Sequence, residues 1–88
     1  MRTEFKTSFL KDISKIKNRN SLKRIKEVIE TFEKSEGLQN ITNLKKLRNS
    51  DNYYRIKVGE YRIGLSIQDD LGVFIRCLHR KDIYRYFP

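Results

Sequence analysis

Tyr53-Tyr54-Arg55-Ile56-Lys57-Val58-Gly59-Glu60-Tyr61-Arg62-Ile63-Gly64-Leu65-Ser66-Ile67-Gln68 is the stretch that decides the fold of this chain. Side chains alternate between the two faces of a strand, and apolar residues recur here with a period of two on both sides of Gly59-Glu60. A Gly-X pair is the centre of a tight two-residue hairpin turn, so two antiparallel strands are predicted, Tyr53–Val58 and Tyr61–Gln68. That turn sets Val58 opposite Tyr61 and therefore Lys57 opposite Arg62. Tyr54, Ile56, Val58, Tyr61, Ile63, Leu65 and Ile67 then share the core face. Arg55, Lys57, Arg62, Gly64, Ser66 and Gln68 take the outer one.

Downstream, Asp69, Asp70 and Gly72 mark a second turn, and Val73–Arg80 reads as a third strand completing an antiparallel meander. With Ile75 and Cys77 inward, Arg76 and Arg80 join the outer face, and the antiparallel return brings Arg80 near Arg62. His79 points toward the core side. The same parity leaves Phe74 and Leu78 outward, either covered by the C-terminal segment or, for Phe74, free to stack on a base of single-stranded RNA.

Upstream, Arg2–Lys6 alternates as a short strand does. From Phe9, the spacing of Leu10, Ile13 and Ile16 predicts a helix, with Thr7 and Ser8 as candidate N-caps, and Asn18–Asn20 break it. A second helix from about Ser21 carries Leu22, Ile25, Ile29 and Phe32 on one stripe, with Gly37 as its stop. Leu38–Asn52 is polar and basic and reads as a loop, with Leu44 and Leu47 plugging into the core. The expected architecture is α+β: an N-terminal short strand, a two-helix antiparallel hairpin, then a three-stranded antiparallel meander, with the helices packed on one face of the sheet. Its 88 residues predict one domain spanning 1–88.

Twenty Lys and Arg against eleven Asp and Glu give a net charge of +9. Such an excess attracts polyanions and makes nucleic acid the leading partner class. No apolar stretch approaches spanning length and neither helix has the aromatic-rich face of an interfacial anchor, so no membrane partner is expected. Cys77, the lone cysteine, and His79, the lone histidine, are too few for a zinc site, and no metal or cofactor is expected. Phe9 and Leu10 are followed at once by Lys11 and Asp12, which leaves no apolar core for a secretory signal, and a cytoplasmic protein is expected.

The outer face gathers Lys57, Arg62, Arg76 and Arg80 with no acid among them. Like charges directly opposite each other in a sheet repel, so the pair at Lys57 and Arg62 costs stability unless an anion sits there. A phosphate site follows. The plainer alternative is that a chain so rich in Lys and Arg collects cations on any solvated face.

Tyr54-Arg55-Ile56-Lys57-Val58-Gly59-Glu60-Tyr61-Arg62-Ile63, followed by His79-Arg80-Lys81-Asp82-Ile83-Tyr84-Arg85, resembles the RelE/ParE toxin superfamily, and two helices ahead of a meander fit its layout. The resemblance implies a toxin of a type II toxin–antitoxin pair, of the RelE-like branch: a metal-independent endoribonuclease that cuts messenger RNA in the ribosomal A site and so inhibits translation. Its implied partners are a cognate antitoxin, the ribosome and messenger RNA. Carried over by motif position, Arg55 and Lys57 bind phosphate or tune proton transfer, Arg62 stabilises the phosphorane, Arg80 sits near the leaving group, and Tyr84 orients or activates the nucleophile. Lys45, Lys46, Arg48, Arg76, Lys81 and Arg85 are candidate RNA contacts.

Arg55 stands where some RelE members carry lysine, and the spacing from Arg80 to Tyr84 is shorter than in some relatives. Arginine stays protonated and a free tyrosine titrates near about pH 10, so His79 is the rival acid–base group, with a strand-end structural role as its other reading. Two further functions share the motif: a ParE-like poison that binds DNA gyrase, and a plain nucleic-acid-binding module.

Overall fold

The computed structural model describes residues 1–48 and 50–88. Its elements are β1 (Arg2–Phe5), α1 (Thr7–Ser14), α2 (Arg19–Lys34), a 3₁₀ turn (Leu38–Asn40), β2 (Leu44–Lys46), β3 (Tyr53–Val58), β4 (Tyr61–Gln68), β5 (Leu71–His79) and α3 (Ile83–Tyr86). The hairpin forms in the expected register, with Val58 facing Tyr61 and Lys57 facing Arg62. Gly59 adopts φ 59°, the left-handed region that such a turn demands of its first central residue.

The meander is the centre of a larger sheet than the sequence suggested. Five strands run in the order β1-β5-β4-β3-β2, mixed because β1 pairs parallel with β5. The segment expected to be a basic loop supplies β2, antiparallel to β3 with Lys45 facing Arg55. Asn49 of that segment lies outside the described residues. The second turn is also tighter than expected: Asp69, at φ 55°, and Asp70 close it alone, so β5 starts at Leu71.

A bulge corrects the parity of β5. Gly64 faces Arg76 whereas Leu65 faces Phe74, which leaves Ile75 as an extra residue on the longer strand. Residues before and after it therefore reach the core from different parities. Phe74 points inward at 0% exposure, alongside Cys77, rather than onto the outer face. Its ring centroid lies 5.6 Å from Phe9 of α1 and 5.3 Å from Phe32 of α2. Burying each such side chain contributes about 1.5–3 kcal/mol. Phe32 reaches the sheet because Gly72 has no side chain to obstruct its ring.

Both helices lie on this one face, where Phe9, Ile25 and Phe32 join Ile56, Ile63, Leu65, Ile67 and Phe74 in the core. Their ends differ from the expected ones. Thr7 and Ser8 lie inside α1, whose N-cap position is Lys6, and the Ser8 hydroxyl donates instead to the Ile75 carbonyl (2.6 Å). α2 stops at Lys34, with the Ser35 hydroxyl donating to the Thr31 carbonyl, while Gly37 opens the 3₁₀ turn in extended conformation.

α1 has a second task. β1 covers β5 only from Leu71 to Phe74, and beyond that point α1 runs along the uncovered edge. Asp12, buried within the helix, accepts from the Cys77 amide (3.0 Å) and from Arg76 Nε (2.7 Å) and Nη2 (3.1 Å). A side chain thus satisfies a strand edge that would otherwise lack a partner. On the opposite face of the sheet lies the C-terminal segment, with Ile83 and Phe87 buried. The expected cover by the tail is present, but Phe74 is not what it covers.

Candidate nucleic-acid interface

Parity and the turn at Gly59-Glu60 deliver most of the expected cations to one place. Arg55 of β3, Arg62 of β4, and Arg80, Lys81 and Tyr84 after β5 line a single open concavity on the outer face. A second concavity adjoins it, lined by Lys45, Lys46 and Arg48 together with Arg55, Tyr84 and Phe87. Arg55 and Tyr84 belong to both. The two form a cationic track interrupted by the rings of Tyr84 and Phe87, the combination that suits a single-stranded polyphosphate with exposed bases.

The cations within it are held to different degrees. Arg62 Nη1 donates to the carbonyls of Gly59 (2.9 Å) and Tyr61 (3.0 Å), so the hairpin turn itself aims this guanidinium. Arg55 Nε is buried and has no hydrogen-bond partner among the described residues. A buried donor left in that state costs about 1–3 kcal/mol, and an anion oxygen would relieve it. Tyr84 is 61% exposed.

Not every candidate is there. Lys57 faces Arg62 across the hairpin but borders a different concavity, beside α2, with Arg24, Glu27 and Asn43. Arg76 is taken by Asp12, whose hydrogen bond raises the pKa of the guanidinium further, and it stacks 5.5 Å from the Tyr86 ring centroid. Arg85 is exposed and lines neither concavity of the track.

An acid also intrudes where none was expected. Glu60 Oε2 lies 3.0 Å from Arg80 Nε and 3.6 Å from His79 Nε2, and the Arg80 amide donates to the Glu60 carbonyl. His79 in turn accepts from the Lys81 amide at Nδ1 (3.2 Å) and packs edge-on to Tyr61. It ties down the end of β5, the structural reading of this residue, and does not line the concavity. Cys77 is core, and burial pushes its thiol up to about 12. Among the described residues no three His, Cys, Asp or Glu side chains gather to hold a metal ion, and no helix is long and apolar enough to cross a membrane.

Sequence reasoning missed the seat of the tail. Phe87 lies against Gly64, where a Cβ would stand 2.6 Å from its ring, and meets Tyr53 edge-on at 5.5 Å between centroids. The available signal was a glycine inside a strand, which marks the close approach of another group.

These features place the chain in a class. Residues 3–84 match the family described as ParE toxin of type II toxin-antitoxin system, parDE, and the chain belongs to it, a type II toxin of the RelE/ParE superfamily. Among individual relatives, it is 43% identical to Toxin RelE3 of Methanocaldococcus jannaschii over 89 residues, covering 100% of both chains. Putative toxin RelE1 of the same organism is 32% identical over 83% of this chain and 81% of its own length. In the crystal structure of the RelB-RelE antitoxin-toxin complex from Methanococcus jannaschii, a chain 42% identical superposes with a TM-score of 0.81, covering 97% of this chain and 99% of that one. The archaeal RelE-RelB complex from Pyrococcus horikoshii shares the fold at 17% identity and a TM-score of 0.73, over 93% and 97% of the two chains.

Proposed function

We propose that this toxin is a ribosome-dependent endoribonuclease that cleaves messenger RNA in the A site, without a metal, and thereby inhibits translation. The observation that carries this reading is the convergence of Arg55, Arg62, Arg80, Lys81 and Tyr84 on one concavity. In the reaction the ribose 2′-hydroxyl attacks the adjacent phosphorus, a proton leaves that hydroxyl, and the 5′-oxygen departs with a proton, giving a cyclic phosphate and a free 5′-hydroxyl. The pentacoordinate species carries added negative charge, and pre-aimed guanidinium groups stabilise it at no reorganisation cost. Arg62, fixed by two carbonyls, suits that task, and Arg80 lies beside it for the departing oxygen.

Tyr84 projects into the same concavity and orients or activates the hydroxyl. Lys45, Lys46 and Arg48 hold flanking phosphates along the adjoining track. Arg55, with its unpartnered Nε, binds phosphate between the two. Lys57 contributes charge from a separate concavity beside α2, and Arg76 and Arg85 stand away from the track. A cognate antitoxin partners the toxin, as RelB partners RelE in the archaeal complexes, and the toxin acts in the cytoplasm on ribosomes and message.

Growth arrest on induction is the test. Arg62→Ala and Arg80→Ala abolish it while circular dichroism shows the fold retained, and mapped message ends show codon-phased cuts with the wild type alone. Full toxicity of both folded variants overturns the proposal. The matched family description supports a second reading, a ParE-like inhibitor that acts by binding DNA gyrase. Inhibited supercoiling with intact translated messages is its distinguishing result.

A further inference from the structure

The position of Tyr84 poses a mechanical problem. It sits on α3, a helix of four residues whose N-cap position, Asp82, makes no side-chain cap. A helix this short does not persist on its own. Its backbone is tied by Asp82 to the His79 carbonyl, by Arg85 to the Asp82 carbonyl and by Phe87 to the Ile83 carbonyl, all of them local contacts. What fixes the segment to the sheet is burial on either side of the tyrosine, Ile83 at 0% and Phe87 at 3% exposure.

Phe87 is the more specific of these two anchors. Its ring occupies a notch over Gly64 that exists because the strand has no side chain there, and Tyr53 closes one wall. The notch lies in β4 two residues beyond Arg62, whose guanidinium the hairpin turn aims. Phe87 also lines the second concavity together with Tyr84 and Arg55. One inserted ring therefore couples the tail's placement to the strand that carries Arg62.

We propose that Phe87, seated on Gly64, is the positioning residue that holds Tyr84 over the cationic concavity. This rests on the nuclease reading. Phe87 touches no reacting atom and, at the edge of the second concavity, brings no charge to the phosphates, so its loss lowers the cleavage rate far more than it weakens RNA binding. A misplacement of about 1 Å costs on the order of 100-fold in rate, which sets the expected effect.

The experiment uses the full chain, programmed ribosomes and a defined message, with Gly64→Ala, which expels the ring, and Phe87→Ala, which removes it. Both variants are expected to cut at about one-hundredth of the wild-type kcat, with KM and the affinity for a short single-stranded RNA within about twofold. Phe87→Leu, which refills the notch in part, recovers part of the rate. In a Tyr84→Phe background, Phe87→Ala causes little further loss, because both changes act through the same group; a merely structural role gives additive losses.

Wild-type turnover by Phe87→Ala, or additive losses in the double variant, overturns the proposal while the nuclease reading stands. No cleavage by the wild type under the same conditions overturns that reading itself. Should Gly64→Ala fail to fold, Phe87→Ala, altered on the outer face, carries the test alone.

Discussion

Replacing Asp12 is the most demanding test of the fold. Its carboxylate is 4% exposed and holds Arg76, itself 24% exposed, while accepting from the Cys77 amide. Breaking a buried ion pair by deleting one partner costs about 3–5 kcal/mol, and the partial exposure of Arg76 places this pair near the lower end. Asp12→Ala also strands the Cys77 amide, worth about 1–3 kcal/mol unless water reaches it. A loss of about 3–6 kcal/mol follows, against a total of about 5–15 kcal/mol for a domain of this kind. Asp12→Asn keeps an acceptor for the amide and loses the charge, so it falls between the wild type and Asp12→Ala. Urea titration followed by circular dichroism measures all three, and at about 4–8 °C per kcal/mol a melting curve shows the same order. An Asp12→Ala midpoint indistinguishable from that of the wild type refutes the view that this side chain seals the edge of β5.

Three further outcomes follow from individual residues. Cys77, with its thiol raised to about 12 by burial, does not react with a thiol reagent at neutral pH until the chain is unfolded; labelling of the native protein at the rate of a free thiol contradicts this. Glu60→Gln frees Arg80, and because an exposed pair contributes about 0–1 kcal/mol, stability barely moves. Short single-stranded RNA at low salt binds tighter by up to about fivefold, the equivalent of about 1 kcal/mol of Coulomb competition in water, and unchanged binding counts against Glu60 as a competing anion. Asp70 is held below the usual carboxylate range, chiefly by its hydrogen bond from Arg2. A depressed folded pKa gives stability that is present above the unfolded value and lost as pH falls through the folded one. Asp70→Asn therefore flattens the acid limb of a stability profile below about pH 4, and an unaltered limb rejects the link.

What the sequence discloses about this fold is what a local rule governs. The Gly59-Glu60 turn fixes the register of β3 and β4, and with it the shared surface of Arg55 and Arg62, because a two-residue loop leaves no freedom to slip. Val73-Phe74-Ile75 defeats the same reasoning: three consecutive apolar residues carry no alternation, so the extra residue at Ile75 is invisible and Phe74 is assigned to the wrong face. β2 hides for a related reason, since Lys45 and Lys46 at an exposed edge read as loop chemistry.

Other features depend on residues far apart in the chain. Arg76 finds Asp12 across 64 positions, and no spacing rule distinguishes it from the cations left free for a ligand. Glu60, read as half of a turn, also bends its carboxylate back to Arg80. Phe87 over Gly64 is an intermediate case: a mid-strand glycine and an apolar tail are each visible, but their meeting requires the third dimension.

The bulge at Ile75 also constrains how this chain can change in length. One strand steers Phe74 into the interior on its first half and Arg76 outward on its second, and the change of phase happens at a single position. Deleting that position would rotate Phe74 into water or drive Arg76 beneath the helices. Substitution can tune this strand residue by residue, but loss of one residue there would dismantle the hydrophobic centre and the Asp12–Arg76 seal together.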